Sequence, residues 1–293
     1  MKFGLSSYSF NQRIRTGEMS ILDVIDWVAD SEAEHLEFAA LSDEADAPIP
    51  NINTPSEQID QIIQRAADKG VELSNLAVGA NFFTSDAGEH RAEVERVKAY
   101  VDLAARFGMT RLRHDVVRHP GLEGDDTPAF EEAFGPIVAA AKEIAQYAAT
   151  KGVTTSLENH GFFVQASDRV RRIIHAVDEP NFGTTLDIGN FLCVDEDPTV
   201  AVPANLPYAT VVHFKDFYVR TEDPGEGWFR SRGGKYLRGA IVGNGDIDIR
   251  AICRAIKASG YDGFAAIEFE GQEDCLIGCA RGVANAKSLF ANA

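Results

Sequence analysis

Short apolar runs rich in β-branched residues alternate along the whole chain with longer segments in which apolar residues recur at i, i+3 and i+4. The short runs are typical of buried strands, and the longer segments of helices that bury one face. The predicted strands cover residues 2–8, 35–38, 72–79, 110–116, 153–158, 183–187, 210–214 and 263–269. The predicted helices cover residues 20–31, 54–69, 89–107, 130–150, 167–177, 247–259 and 274–290.

This alternation predicts a fold of the α/β class, with parallel strands joined by right-handed crossovers. Eight strands favour a closed (β/α)₈ barrel, and we expect residues 1–293 to form a single TIM-barrel domain. No glycine-rich phosphate-binding motif follows the first strand, which argues against a dinucleotide-binding fold. The glycine-rich segment at about 218–244, between the last two strands, predicts a long loop over the active-site mouth.

The charge and composition of the chain exclude some classes of binding partner. The formal net charge of −17 argues against binding to nucleic acid or to an anionic membrane, since both require a positive face. The chain contains no apolar run approaching the roughly 18 residues needed to cross a bilayer. Its N-terminus lacks the long apolar stretch of a signal peptide, so we expect a cytoplasmic protein. The spacing of the four cysteines favours buried free thiols over a zinc site.

Four consecutive predicted strands end in side chains that can bind a metal ion. These residues are Glu158, Asp187, His213 and Glu268. Carboxylates among Leu, Ile and Val would repel each other and lose solvation unless a positive group joins them. One divalent cation would serve, and this ligand set suits Mn²⁺, Mg²⁺ or Co²⁺. The alternative is that each acid separately caps a helix or pairs with an arginine.

The second half of the chain resembles the xylose-isomerase-like superfamily of sugar phosphate isomerases and epimerases. The resemblance rests on the motifs LENHG at 157–161, LDIGN at 186–190, HFKD at 213–216 and VGNGDID at 242–248. It implies that Glu158, Asp187, His213 and Glu268 bind the metal. It also implies that Glu158 and Glu268 are catalytic, because the matching glutamates of the ketose 3-epimerases move the substrate proton. Those epimerases have a histidine where this chain has Asn190, which argues against that specific activity.

Four further residues are candidates for substrate binding: His160, Asn190, Lys215 and Arg238. Strand alternation could direct His160 and Lys215 to the same side as the ligands two residues earlier. A surface role for His160 is an equal alternative. Arg238 lies in the predicted loop among aromatic and basic residues that suit either a lid or an oligomer contact. Tyr8 and Glu37 could complete the pocket wall, although packing or helix pairing is the simpler interpretation.

The predicted function is a metal-dependent isomerase or epimerase of a sugar, keto-sugar or polyol, working through an enediolate with two glutamates as acid and base. A dehydratase or lyase acting on a related keto-polyol or keto-glycoside is the alternative, because the same intermediate can expel a β-hydroxyl. A nuclease of the apurinic-site type is disfavoured by Asn190 and by the net charge. The expected partner is a small sugar-like substrate, and we expect a homo-dimer or homo-tetramer.

Overall fold

Eight parallel strands close into a barrel in the computed structural model, which describes residues 1–118 and 126–293. The barrel strands are Lys2–Ser6 (β1), His35–Ala40 (β2), Glu72–Val78 (β3), Arg111–His114 (β4), Thr154–Glu158 (β5), Phe182–Asp187 (β6), Ala209–Phe214 (β7) and Phe264–Ile267 (β11). Their order around the barrel is β1-β11-β7-β6-β5-β4-β3-β2. The prediction of a (β/α)₈ barrel is confirmed.

The strands are buried on both faces, as expected when one face fills the barrel and the other packs against helices. All six residues of β2 and all six of β6 are buried. Their polar members therefore need partners inside the protein. Those at the carboxyl ends lie where the loops leave an opening.

Helices cover the outside of the barrel and begin where capping residues stand. In α2, Ser20 and Asp23 form a capping box, and Ile21, Val24 and Ile25 face the core. The helices are Asn11–Arg15 (α1), Ile21–Ala29 (α2), Ser56–Lys69 (α3), Ala87–Arg106 (α4), Thr127–Ala149 (α5), Ser167–Val177 (α6), Pro198–Asn205 (α7), Ile249–Ser259 (α8) and Cys275–Ala291 (α9). None in the described part of the chain is long and apolar enough to cross a membrane.

Two helices are absent from the sequence prediction. The short α1 follows β1 after a single 3₁₀ turn at Ser7–Phe10. The other, α7, contains Pro198 at its start and Pro203 in its interior. Proline fits the first turn of a helix but removes a hydrogen bond farther in, so the two prolines concealed this helix.

The sequence predicts a loop at about 218–244, but three short strands occupy part of this segment. The prediction of a loop is wrong for the residues in those strands. Asp216–Arg220 (β8), Phe229–Arg230 (β9) and Tyr236–Ala240 (β10) form a small antiparallel sheet in the order β8-β10-β9. We call this sheet and its connections the hairpin. Gly239 of β10 pairs with Gly271, just beyond β11, and any larger residue at 239 would overlap the Glu270 backbone. The hairpin is therefore held beside the carboxyl end of β11.

Candidate metal centre and active site

The four predicted ligands converge at the carboxyl ends of neighbouring strands. Glu158 ends β5, Asp187 ends β6, His213 lies in β7, and Glu268 directly follows β11. One ligand atom from each lies within 4.8 Å of those of the other three. Asp187 pairs in register with His213, and the Glu268 backbone N–H donates to the Phe214 carbonyl, which continues the ladder by one residue. The barrel thus gathers into one cluster residues that lie far apart in the sequence.

Two buried atoms of this cluster lack a hydrogen-bond partner among the described residues: Asp187 Oδ2 and His213 Nδ1. The other oxygen of Asp187 accepts the backbone N–H groups of Gly189 and Asn190, each at 2.8 Å. A buried polar atom without a partner is costly, and both of these atoms are good metal ligands. The donor set therefore fits a divalent cation.

Glu37 orients the histidine. Its Oε2 lies 3.0 Å from His213 Nε2 and also accepts a 2.7 Å hydrogen bond from Asn75. A proton on Nε2 leaves Nδ1 as the atom free to bind a metal, a recurrent arrangement for metal-binding histidines. Burial alone would lower the pKa of His213, but Glu37, followed by Glu268 and Glu158, raises it to about 10. Metal binding would therefore release a proton from this imidazole.

Lys215 supplies a second positive charge inside the cluster. Its Nζ lies 2.6 Å from Glu268, 3.4 Å from Asp187 and 3.3 Å from Glu270. Burial would raise the pKa of Glu268, but Lys215 and then His213 outweigh it and hold that pKa at about 2. Glu268 is consequently a carboxylate with one oxygen against an ammonium group.

Glu158 has different surroundings. Arg113 places a guanidinium nitrogen 2.7 Å from its Oε2, and Asn190 donates to its Oε1 at 3.0 Å. Burial raises the pKa of Glu158 despite the nearby Arg113. Arg113 also contacts Asp115, which in turn lies 3.2 Å from His160 Nδ1. The two glutamates thus carry opposite pKa shifts, because one is dominated by burial and the other by Lys215.

The cluster opens into a cavity of about 320 Å³, which we call the metal cavity. Its lining includes Glu158, His213, Glu268, Lys215, His160 and Tyr8. A cavity of this size and polarity suits a small hydroxylated molecule. Its position at the carboxyl end of the barrel is where enzymes of this fold carry their active sites.

The substrate-binding candidates separate into two groups. His160 and Lys215 line the metal cavity. Asn190 lies behind the ligands, between Glu158 and Lys215, with its Oδ1 accepting from Lys215 at 3.3 Å. Arg238 belongs to the hairpin and lines a neighbouring cavity. The structure therefore brings two of the four candidates to the ligand cluster's opening.

Sequence reasoning missed the partnership of Glu37 with His213. Glu37 stands between Leu36 and Phe38 in a strand that is buried throughout. A lone carboxylate in such a strand needs a partner, and that requirement could have directed attention to it. Asn159 was also missed. It forms two hydrogen bonds with the Asp187 backbone, at 2.8 and 2.9 Å, and so joins the ends of β5 and β6.

Known proteins resemble the chain over most of its length. The family model described as xylose isomerase-like TIM barrel matches residues 25–287. Inosose dehydratase from Geobacillus thermodenitrificans is 25% identical over 223 residues, covering 69% of this chain and 72% of the relative. 3-Oxo-isoapionate decarboxylase from Pectobacterium atrosepticum is 23% identical over 264 residues, covering 88% and 81%. A xylose isomerase-like TIM barrel protein from Mycobacterium smegmatis, in complex with magnesium, superposes with a TM-score of 0.71 at 17% identity, covering 99% and 97%.

Proposed function

This chain belongs to the xylose isomerase-like TIM-barrel family, and from that premise we propose that it is a divalent-metal-dependent isomerase or epimerase of a sugar-like keto-polyol. The observation that supports this most directly is a pair of buried ligand atoms, Asp187 Oδ2 and His213 Nδ1, which accept no hydrogen bond from any described residue and cluster with two glutamates. Such a site can hold both a cation and the oxygens of a hydroxy-carbonyl group.

The metal ligands would be Glu158, Asp187, His213 and Glu268. A bound Mn²⁺, Mg²⁺ or Co²⁺ ion would polarise neighbouring carbonyl and hydroxyl oxygens of the substrate and acidify the C–H bond between them. The protein side chains orient the ligands and transfer the protons. Glu37 keeps His213 in one tautomer, and the backbone N–H groups at 189 and 190 hold Asp187 in place.

Glu158 and Glu268 are the proposed acid and base. One oxygen of each faces His213 Nδ1, at 3.8 Å for Glu158 and 4.0 Å for Glu268, and the other lies beside a cation, which is Arg113 for Glu158 and Lys215 for Glu268. One glutamate, as a carboxylate, takes up the proton next to the carbonyl, and the other, as a carboxylic acid, donates its own proton to the same or the neighbouring carbon. Lys215, on the cavity wall, stabilises the negative charge that develops on the substrate oxygen.

Elimination of water is a second candidate reaction, favoured by the contact between His160 and Asp115. The His160 imidazole is half-exposed on the wall of the metal cavity. Burial would lower its pKa, but Asp115 raises it above the ordinary value. An imidazolium in this position could protonate a departing β-hydroxyl. Inosose dehydratases among the relatives agree with this reaction class.

Deuterium exchange tests the proposal. The Mn²⁺-loaded protein is incubated in D₂O with a panel of ketohexoses and inososes, and mass spectrometry follows deuterium uptake while ultraviolet absorbance follows enone formation. We expect uptake without loss of water, and a decrease of about 100-fold to 10,000-fold in Glu158→Gln and Glu268→Gln. Glu57→Gln, an exposed change on α3, is the matched control.

The outcomes separate the candidate reactions. Enone absorbance that follows deuterium uptake would assign elimination instead of isomerisation. Full exchange after metal removal by EDTA, or in Glu268→Gln, would exclude both reactions in the form proposed here. Calorimetry of Mn²⁺ binding to each variant determines whether a loss of exchange reflects loss of the metal or loss of the proton-transfer group.

A further inference from the structure

A second cavity of about 370 Å³ adjoins the metal cavity, and we call it the hairpin cavity. The two cavities share Tyr8 and Glu270 in their walls. Glu270 also lies 3.3 Å from Lys215, so this shared wall is in direct contact with the ligand cluster. Tyr8 and Glu270 are thus the residues that the two cavities have in common.

The hairpin forms one side of the hairpin cavity, and two of its glycines lie in close contact with the segment that follows β11. Gly239 packs against the backbone of Glu270 and Gly271, and Gly227 packs against the Gln272 side chain. A side chain at either glycine would overlap these neighbours. These close contacts hold the hairpin beside the barrel. The cavity between the hairpin and the barrel is therefore a property of the fold.

Arg238 faces this space with a free guanidinium. The group stacks over the rings of Tyr218 and Trp228, at 5.1 and 4.8 Å from their centres. Among the described residues it has no carboxylate at ion-pair distance, whereas Arg220 on the neighbouring strand β8 pairs with Asp246. Stacking holds the planar group, and its N–H groups remain available to a ligand.

The other walls combine an exposed aromatic ring with polar groups. Phe229 is 39% exposed, and its ring meets Phe217 edge-on at 5.7 Å. Asn11 and Gln12 contribute amides from α1, and Glu273 contributes a carboxylate. Two carboxylates beside one guanidinium disfavour an anion, while the polar groups disfavour a purely apolar ligand. A sugar ring suits this cavity, because its hydroxyl groups can bond to the polar side chains and its apolar face can pack against the aromatic ring.

We propose that the hairpin cavity binds the second ring of a two-ring carbohydrate whose first ring lies in the metal cavity. The apolar face of that ring packs on Phe229, and its hydroxyls bond to Arg238 and the α1 amides. The inference rests on the proposed function, because it names the substrate class of the same site. It adds a specificity determinant remote from the reacting carbon.

Two matched sugar pairs test the inference. Deuterium exchange is compared between methyl β-3-keto-glucoside and 3-keto-cellobiose, and between methyl α-3-keto-glucoside and 3-keto-trehalose. In one of these pairs we expect kcat/KM for the two-ring sugar to exceed that of the methyl glycoside about tenfold. Phe229→Ala and Arg238→Met should bring this ratio close to one, and Phe229→Tyr should retain it. Arg230→Ala, on the same strand but outside the cavity wall, is the control.

Calorimetry keeps this inference separable from the proposed reaction. The unreactive sugars cellobiose, trehalose and the two methyl glucosides are titrated into the Mn²⁺-loaded protein. If neither these sugars nor the ketohexoses and inososes exchange deuterium, the proposed reaction fails, while tighter two-ring binding that Phe229→Ala abolishes still supports the hairpin cavity. Equal affinity within both pairs, absence of binding, or a preference that survives both substitutions would overturn the inference.

Discussion

At the scale of single residues, the site depends on groups that hold the ligands as much as on the ligands themselves. Glu37 lies 176 positions from His213 in the sequence, yet its carboxylate lies at hydrogen-bond distance from His213 Nε2 and leaves Nδ1 available for the proposed metal. Asn75 holds the same oxygen of Glu37. The tautomer of the ligand is thus determined by β2 and β3, on the opposite side of the barrel from β7.

Replacing Glu37 with Gln should weaken metal binding without removing a ligand. The oxygen of a neutral amide accepts a weaker hydrogen bond from His213 Nε2–H than a carboxylate does, so we expect the Kd for Mn²⁺ to rise about tenfold to 100-fold. Isothermal titration calorimetry measures this change, and Glu57→Gln on the exposed face of α3 is the control. Wild-type affinity in Glu37→Gln would show that the contact does not orient the ligand.

At the scale of secondary-structure elements, the hairpin is the part of the molecule that departs most from the repeating barrel. Asp216, at the start of β8, accepts backbone N–H groups from residues 217, 243, 245 and 247. Burial raises its pKa to about 6 even though these hydrogen bonds favour the charged form. At the other end of the hairpin, Asp195 accepts hydrogen bonds from Ser231 and Gly233. Two aspartates therefore anchor the hairpin to the barrel.

Asp216→Asn should lower the free energy of unfolding by about 3 kcal/mol. An amide nitrogen in place of Oδ2 would face the N–H groups of Gly243 and Gly245, and buried donors without an acceptor cost about 1–3 kcal/mol each. Urea unfolding followed by circular dichroism measures the change. Glu222→Gln, an exposed substitution in the same crossover, should alter stability by less than about 0.5 kcal/mol. Equal stability of the two variants would contradict the anchoring role.

At the scale of the whole molecule, charge is the unusual property. The chain contains 45 acidic and 28 basic residues, which gives a net charge of −17. Many surface charges are paired, as Arg91 is with Glu143 and Arg172 with Glu131, but exposed pairs contribute only about 0–1 kcal/mol each. The unpaired excess repels itself, and this repulsion favours the unfolded chain.

Added KCl should therefore stabilise the protein. At 1 M salt the Debye length falls to about 3 Å, which screens repulsion between separated carboxylates. We expect Tm to rise by about 2 °C or more between 0.1 and 1 M KCl, which corresponds to roughly 1 kcal/mol for a chain of this size. Scanning calorimetry measures Tm, with sucrose at matched osmolality as the control for solvent exclusion. A Tm that falls over this range would mean that paired charges outweigh the repulsion.

The chain order of strands and helices, and four polar strand ends, were sufficient to predict the barrel and the ligand cluster. Short apolar runs and apolar residues at a period of about 3.6 are local properties of the sequence, and a parallel barrel directs every carboxyl end to the same rim. Glu158, Asp187 and His213 could therefore be placed together from the sequence. The prolines of α7 and the glycines of the hairpin obscured those elements, because both residue types also occur in loops.

Only the tertiary structure showed which groups contact the proposed ligands and which cavity adjoins theirs. Glu37 meets His213 only when the barrel is closed, and Arg238 reaches the hairpin cavity only because Gly239 packs against Gly271. These contacts join segments distant in the sequence, and their geometry depends on strand register and on the close approach of two backbones. The sequence therefore shows which polar residue ends each strand. The residues that this side chain contacts depend on the strand register and on closure of the barrel.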